Sequence, residues 1–323
     1  MTPDVTIIIP CYKVGKYLRQ CLDSVLNQSH SNIQVLAIND ASPDDSGMIL
    51  DEYVARDPRL QVIHQPVNAG VSVARNTGLS KTIAPYTMFL DGDDWLLPDA
   101  VANLLALQRQ SNAEFVCTNI RQYSDEGQPG RIHYSTPQGQ YQPDFQQGID
   151  HMRLHQKLFC TCTAKLFPTA LLHQHKLIFH AELRHAQDTL FTHSFIIFAR
   201  PRTVINYDLA TYCYRQNPAS TVHAIPLEKR LHSLHLLIET LDNLAIHCNQ
   251  PRWLAAEKSA EYFWAIRKFS ANSDERQNEL ARLMSSAFFQ NHLQPVLSQY
   301  GKLKHRILLK LFERNFYRTI ALW

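Results

Sequence analysis

The chain has 323 residues, 45% of them hydrophobic and 19% charged, with a formal net charge of +3. That balance excludes a mostly disordered chain, and the length gives room for one large domain with an extension or for two domains. The seven cysteines are an odd number, spread singly apart from Cys160 and Cys162, and read as thiols in a reducing compartment rather than a disulfide framework.

The opening "MTPDVTIIIPCYK" lacks the basic leader and long apolar stretch of a signal peptide, and no window reaches the ~18 unbroken apolar residues of a membrane span. A cytoplasmic location is therefore expected. From Val5 to Asp91, short β-branched runs alternate with amphipathic segments. The strand "VTIIIP" is followed by a helix near 15–28, the strand "IQVLAIN", a helix near 43–56, the strand "LQVIHQ", a helix near 70–81 and the strand "YTMFLD". This order predicts an α/β fold: a mostly parallel sheet with helices on both faces. Ligands of such sheets bind beyond the carboxyl ends of the strands. Three polar clusters fall there: "PCYK", "NDASPDD" and "DGDD".

Between Glu114 and Tyr214 the pattern loses regularity. "EFVCTNI" reads as a strand, the Gly/Gln/Pro-rich stretch 126–148 as a long loop, and a helix begins near Ala186. Beyond Ala224 the chain reads as helices only. The resulting division is 1–112, 113–223 and a helical extension 224–323.

"MFLDGDDWLLP" places Asp91, Asp93 and Asp94 directly after an apolar run. Such crowding is costly through mutual repulsion unless a cation neutralises it, and a hard divalent ion bridging to phosphate oxygens does so well. Taken alone, the stretch also fits a turn with capping acids before the helix "LLPDAVANLLAL". The later ligands and closing Glu of a calcium loop are absent. In "INDASPDDSG", Ser42 reads as a helix N-cap with Pro43 and Asp45 following, which leaves Asp40 at the strand end as a ligand acceptor or a turn former. "NAGVSVARNTGL" puts Arg75 on the first turns of a helix, in reach of an acid or a phosphate. A dinucleotide site needs G-x-G-x-x-G after the first strand, where "PCYKVGKY" has one glycine, and no P-loop is present. "CTC" at 160–162 lacks the second pair of a zinc site.

The stretches "VTIIIPCYKVGKYLRQCLDSVLNQSH", "AINDASPDDS", "NAGVSVARNTGLSK", "FLDGDDWLLPD", "HAQDTLF" and "YCYRQNPAST", in this order over residues 4–221, resemble the family-2 glycosyltransferases of the GT-A fold. The resemblance implies a GT-A domain with a nucleotide-sugar-binding half (1–112), an acceptor-binding and catalytic-base half (113–223), and a helical C-terminal extension (224–323). It implies that Pro10 and Tyr12 line the nucleotide pocket, that Asp40 accepts the N3–H of uracil, and that Arg75 braces the base or the acidic cluster. Asp91 would lie nearer the ribose, and Asp91 and Asp93 would form the D-x-D motif for Mn²⁺ or Mg²⁺ against the diphosphate. Asp188 falls on the family's catalytic base, with Gln187 where a Glu is usual, and Asn39 replaces the first acid of an Asp-Asp pair. Arg215 and Ser220 fall where the family closes over the donor diphosphate. Asp94 and Gln187 are further candidate contacts to diphosphate or acceptor.

The implied activity is a metal-dependent, inverting transfer of a hexose from a nucleotide sugar to a hydroxyl of a glycan or lipid-linked glycan, in bacterial surface polysaccharide synthesis. UDP is the expected nucleotide, although thymine offers Asp40 the same N3–H. The alternative is a GT-A-fold nucleotide-binding or scaffold protein without turnover, which Gln187 and Asn39 make thinkable. Finally, "KLKHRILLKLFERNFYRTIALW" places Leu303, Ile307, Leu308, Leu311 and Phe312 on one stripe, with Lys304, Arg306, Lys310 and Arg314 outside it. That basic amphipathic helix, residues 302–323, either lies in a membrane interface at the inner face of the cell membrane or packs on the domain or a second subunit. The basic excess is local and has no base-stacking or groove-reading elements beside it, so no nucleic-acid partner is expected.

Overall fold

The computed structural model describes residues 2–132, 138–144, 147, 156–217, 226–247, 278, 282–283 and 286–294. The chain divides into two compact units, Met1–Ala181 with Phe191–Ala219, and Glu182–Leu190 with Ser220–Trp323.

The first unit opens with β1 (Val5–Cys11), α1 (Gly15–Leu26), β2 (Ile33–Asn39), α2 (Ser46–Val54), β3 (Leu60–His64), α3 (Val71–Leu79) and β4 (Tyr86–Phe89). Every residue of β1 and β2 is buried, as expected of strands rich in Val and Ile that are covered on both faces. The four strands are parallel in the order β3-β2-β1-β4. Because the chain leaves β1 to one side for β2 and returns to its other side for β4, a crevice opens at the carboxyl ends of β1 and β4.

The unit continues with β5 (Trp95–Leu96), α4 (Ala100–Ser111), β6 (Phe115–Tyr123), β7 (Pro129–Ile132), β8 (Gln140–Tyr141), α5 (Gln156–Phe159), β9 (Lys165–Pro168) and α6 (Thr169–Gln174). It closes with β10 (Thr203–Arg215). The sheet runs on from β4 as β9-β6-β10-β5, with β7 beside β6 and β8 beside β10. β9 is antiparallel to both β4 and β6 and so joins the parallel front half to the β6–β10 pair. Beneath this junction Phe89, Phe115, Phe167, Phe179, Phe191 and Phe195 pack edge to face, with Phe179 and Phe191 stacked at 4.0 Å. Such pairs add about 0.5–1.5 kcal/mol each beyond their buried area.

Two expectations are corrected. The stretch 126–148 is not simply a loop: β7 pairs with β6 and β8 with β10 inside it, through backbone bonds that need no β-branched side chains. Ser42 does not cap the helix that follows it, since α2 begins at Ser46 and Asp45 makes no capping bond. Ser42 Oγ instead accepts the Lys13 N–H (2.7 Å), and Asp44 accepts the Gly15 N–H (3.0 Å) at the start of α1. The loop after β2 thus caps the neighbouring helix.

Of the second unit, the described part holds the first turn of α7 (Gln187–Ala199), a helix whose later residues belong to the first unit, α8 (Leu227–His247) and a short π-helical turn, Phe289–Leu293. α8 buries Leu231, Leu234, Leu237, Ile238 and Leu241, the stripe of an amphipathic helix. Residues 302–323, expected as a basic amphipathic helix, lie outside the described residues. Among the described residues no helix is long and apolar enough to cross a membrane.

Candidate active site

The acidic turn follows β4 at the carboxyl edge of the sheet. Leu90 N–H still bonds to Ile8 O (3.0 Å), after which the chain turns, closed by Asp94 N–H to Asp91 O (3.0 Å). A Cβ at Gly92 would lie 3.0 Å from Val14 Cγ2 and 3.2 Å from Pro10 O, a crowded fit that small shifts would have to relieve. The turn is therefore pressed against the end of β1.

The three carboxylates have different environments. Asp91 Oδ1 accepts a 2.7 Å bond from Arg75 Nη2, and the buried Arg75 guanidinium lies 5.1 Å from the Phe179 ring centroid. Arg75 thus pairs with the acidic cluster, one of its two expected partners. Asp94 is 2% exposed and fully engaged, taking the Tyr212 hydroxyl on Oδ2 (2.5 Å) and the Arg215 N–H on Oδ1 (2.7 Å). The Tyr212 oxygen also accepts the Asp91 N–H (3.2 Å), so one phenol fixes both ends of the turn. Burial, then the charges of Asp93 and Asp91, pushes the Asp94 carboxyl well above the usual range, and burial with Asp94 does the same to the Tyr212 phenol. Asp93 stays partly exposed, and burial followed by Asp91 raises its carboxyl to about 6, against hydrogen bonding from Asn217 and the charge of Arg215.

Arg215, expected at the donor diphosphate, and Asp94, a candidate contact to diphosphate or acceptor, are both engaged with partners inside the protein. Arg215 is 4% exposed, and its guanidinium donates to Asp93 O (3.0 Å), Asp125 O (2.6 Å) and Gln20 Oε1 (2.5 Å). Both residues are buried and hold the turn from inside. Ser220 lies outside the described residues.

Asp40, expected as an acceptor at the strand end, already takes three donors within the protein. It is buried, with Oδ1 taking the Ala69 N–H (2.8 Å) and Oδ2 taking the Gly70 N–H (2.8 Å) and the Asn68 amide (3.0 Å). The carboxylate fills the anion position at the start of α3, and Gly70, at φ 93°, supplies the backbone this approach needs. Asn39 bonds His64 Nδ1 (2.9 Å) and the Ser42 N–H (3.0 Å), so it too fastens a loop. Tyr12 is partly exposed just past Pro10, with the Lys13 ammonium 5.3 Å from its ring centroid.

Asp188 and Gln187 occupy the first turn of α7, in the segment belonging to the second unit. The helix dipole favours a carboxylate at that end. Gln187 Oε1 is buried with no hydrogen-bond partner among the described residues.

Sequence reasoning missed Tyr212, Tyr17, Gln20, Trp95 and Asp125, all of which brace the turn directly or through Arg215. The only local signal was "YCYR", where Tyr212 falls on the opposite strand face from Cys213.

A mixed sheet with a parallel β3-β2-β1-β4 half and a D-x-D turn at its switch point is the GT-A architecture. The family described as "Glycosyl transferase family 2" matches residues 6–175, and the chain belongs to that family. It is 34% identical over 227 residues to the uncharacterized glycosyltransferase EpsJ of Bacillus subtilis, a match covering 68% of this chain and 63% of EpsJ. Its fold is similar to that of S. aureus TarS 1–349 in complex with UDP, at a TM-score of 0.74 and 20% identity over 98% of this chain and 90% of the other. A more distant likeness is to the mannosyltransferase PcManGT of Pyrobaculum calidifontis in complex with GDP-Man and Mn²⁺, with a TM-score of 0.57 and 15% identity over 100% and 86% of the two chains.

Proposed function

We propose that this chain is an inverting, metal-dependent glycosyltransferase that moves a hexose from a nucleotide sugar, UDP first, to a hydroxyl of a glycan or lipid-linked glycan in bacterial surface polysaccharide assembly. The observation that carries the reading is the acidic turn: two partly exposed carboxylates, Asp91 and Asp93, held at the carboxyl edge of the sheet by buried partners. The residues fit a hard divalent cation. Asp93 is destabilised as an anion by burial and by Asp91, and two carboxylates with the remaining positions left to phosphate oxygens suit Mn²⁺ or Mg²⁺. When bound, the cation supplies positive charge to the departing diphosphate.

The roles of this chain's own residues follow. Pro10 and Tyr12 form one wall of the base pocket, and the Asn68–Gly70 loop, held by Asp40, forms another. Arg75 keeps the Asp91 carboxylate oriented. Asp188 takes the proton from the acceptor hydroxyl as that oxygen attacks the anomeric carbon and the bond to the diphosphate breaks, inverting the centre. Support for the nucleotide and cation classes comes from TarS in complex with UDP and UDP-GlcNAc, and from the mannosyltransferase in complex with Mn²⁺. Residues 1–112 serve the donor, 113–223 the acceptor and base, and 224–323 extend the domain, with 302–323 as a contact for a membrane surface that carries a lipid-linked acceptor.

Calorimetry with UDP, dTDP and GDP, each with and without Mn²⁺, tests the donor site. UDP binding that weakens strongly without the metal, to a low but measurable affinity, and that loses its metal dependence in Asp93→Ala supports it, and no nucleotide binding under either condition overturns it. Deleting 302–323 and finding liposome co-sedimentation unchanged would remove the membrane contact.

A further inference from the structure

We propose that Arg215 is the positioning residue of the acidic turn: it ties Asp93 and Asp94 to α1 and to the connection after β6, so that the D-x-D carboxylates and that connection move as one body. This rests on the donor-site reading above for its functional meaning, but its geometry stands by itself. One side chain reaches three segments distant in sequence. Its Nε–H meets the Asp93 carbonyl at 3.0 Å, one Nη–H meets the Asp125 carbonyl at 2.6 Å, and the other meets Gln20 of α1, while its backbone N–H meets Asp94 at 2.7 Å. The guanidinium carbon lies 4.7 Å from the Tyr17 ring centroid and 4.7 Å from that of Trp95, so the cation is held between two aromatic rings.

The partners are themselves fastened. The Asp125 carboxylate takes the Tyr17 hydroxyl (2.6 Å) and the Lys16 ammonium (2.7 Å), and Trp95 lies against Tyr123 with ring centroids 4.6 Å apart. Gln216 N–H bonds Tyr123 O (2.8 Å), and Asn217 hydrogen-bonds the Asp93 side chain. The exit of β10 therefore grips the turn twice, through Arg215 on the Asp93 backbone and through Asn217 on its carboxylate. At 4% exposure Arg215 has no face left for a diphosphate without surrendering these bonds. A lysine cannot replace it, because a point charge on a flexible stem has neither the planar fork nor the flat face that stacks between rings.

The experiment compares full-length wild type, Arg215→Lys and Arg215→Met. Amide hydrogen exchange without ligand should rise in 91–96 and 123–127 together, by about tenfold or more, while 5–11 in the core strand stays unchanged. Unchanged exchange at 91–96 in both variants overturns the proposal. Should both variants raise exchange at 5–11 as well, Gln20→Met, which removes one partner and keeps the arginine, is expected to give a smaller rise confined to the same two windows, and no rise overturns it. Calorimetry then separates positioning from contact. In Arg215→Lys, UDP binding with Mn²⁺ should weaken by about tenfold while metal-free UDP binding is unchanged, since only the carboxylate geometry is disturbed. Equal weakening with and without Mn²⁺ would make Arg215 a diphosphate contact and overturn the proposal. If wild type shows no Mn²⁺-dependent binding, the donor-site reading fails and hydrogen exchange alone decides the role of Arg215.

Discussion

Arg75 and Asp91 form a 2.7 Å ion pair whose two ends differ in depth: the arginine side chain is 3% exposed and the aspartate side chain 33%. That asymmetry predicts unequal costs for breaking it. Asp91→Ala leaves a guanidinium in the interior without its carboxylate and should destabilise the fold by about 3 kcal/mol, near the lower end for a broken buried pair. Arg75→Met keeps much of the volume and leaves a carboxylate that water can reach, so about 1 kcal/mol is expected. Urea unfolding of the metal-free proteins measures both, and an equal or reversed order would show that depth does not govern this pair.

Tyr212 holds the turn by donating to Asp94 and accepting from Asp91. Tyr212→Phe removes one of two donors to a buried carboxylate, a loss of about 2 kcal/mol. In an Asp94→Asn background the charge is gone, and the same substitution should cost less than half as much. A double-mutant cycle by chemical denaturation reads the difference, and additive effects would deny the coupling.

Asp44 gives a pH signature. Burial is the largest influence on its carboxyl and acts upward, but hydrogen bonds from Ser42, Ser46 and the Gly15 N–H outweigh it and bring the group from 3.8 to about 2. A folded value below the unfolded one means that the ionised group stabilises the native state above about pH 4, and that this contribution disappears as the pH falls towards 2. Because Asp44 is exposed, screening limits the effect to well under the full shift. Thermal unfolding of wild type and Asp44→Asn should therefore differ at pH 6, and the gap should narrow steadily below about pH 4 to a small remainder at pH 2. A gap that is constant across that range would assign the loss to shape rather than charge.

What could be read in the sequence and what could not follow from the distance over which each fact is decided. β1, β2 and β4 were legible because strands buried on both faces read as short, mostly apolar runs rich in β-branched and aromatic residues, a local property. The helices between them end one to three residues short of the pattern in places, as end turns are set by partners rather than period. The acidic turn was legible as a cluster, yet the different environments of Asp91, Asp93 and Asp94 were not. In sequence they are near-identical neighbours, and only Tyr212 and Arg215, over 115 residues away, make Asp94 structural. Ser42 misled for a similar reason: its sequence context suits an N-cap, but the helix it serves is α1, brought alongside by the sheet. Asp40 reads as an exposed strand-end acid until the chain 28 to 30 residues further on folds back to claim it.

Asp188 offers the sharpest test of turnover. It stands in the first turn of α7, where a carboxylate is favoured by the helix dipole whatever its function. Two roles therefore compete, and they predict different losses. An acid that only complements the dipole contributes about 0.3–1 kcal/mol to stability, and Asp188→Asn would lower the unfolding midpoint slightly while turnover stays near wild type. A general base leaves binding alone and supplies roughly 10²- to 10⁴-fold in rate. Asp188→Asn should then bind UDP with Mn²⁺ as wild type does, while sugar transfer falls by at least about a hundredfold, an amount no dipole effect supplies. Calorimetry and a transfer assay on the same preparation decide between them, and near-normal turnover with normal nucleotide affinity would remove Asp188 from the chemistry.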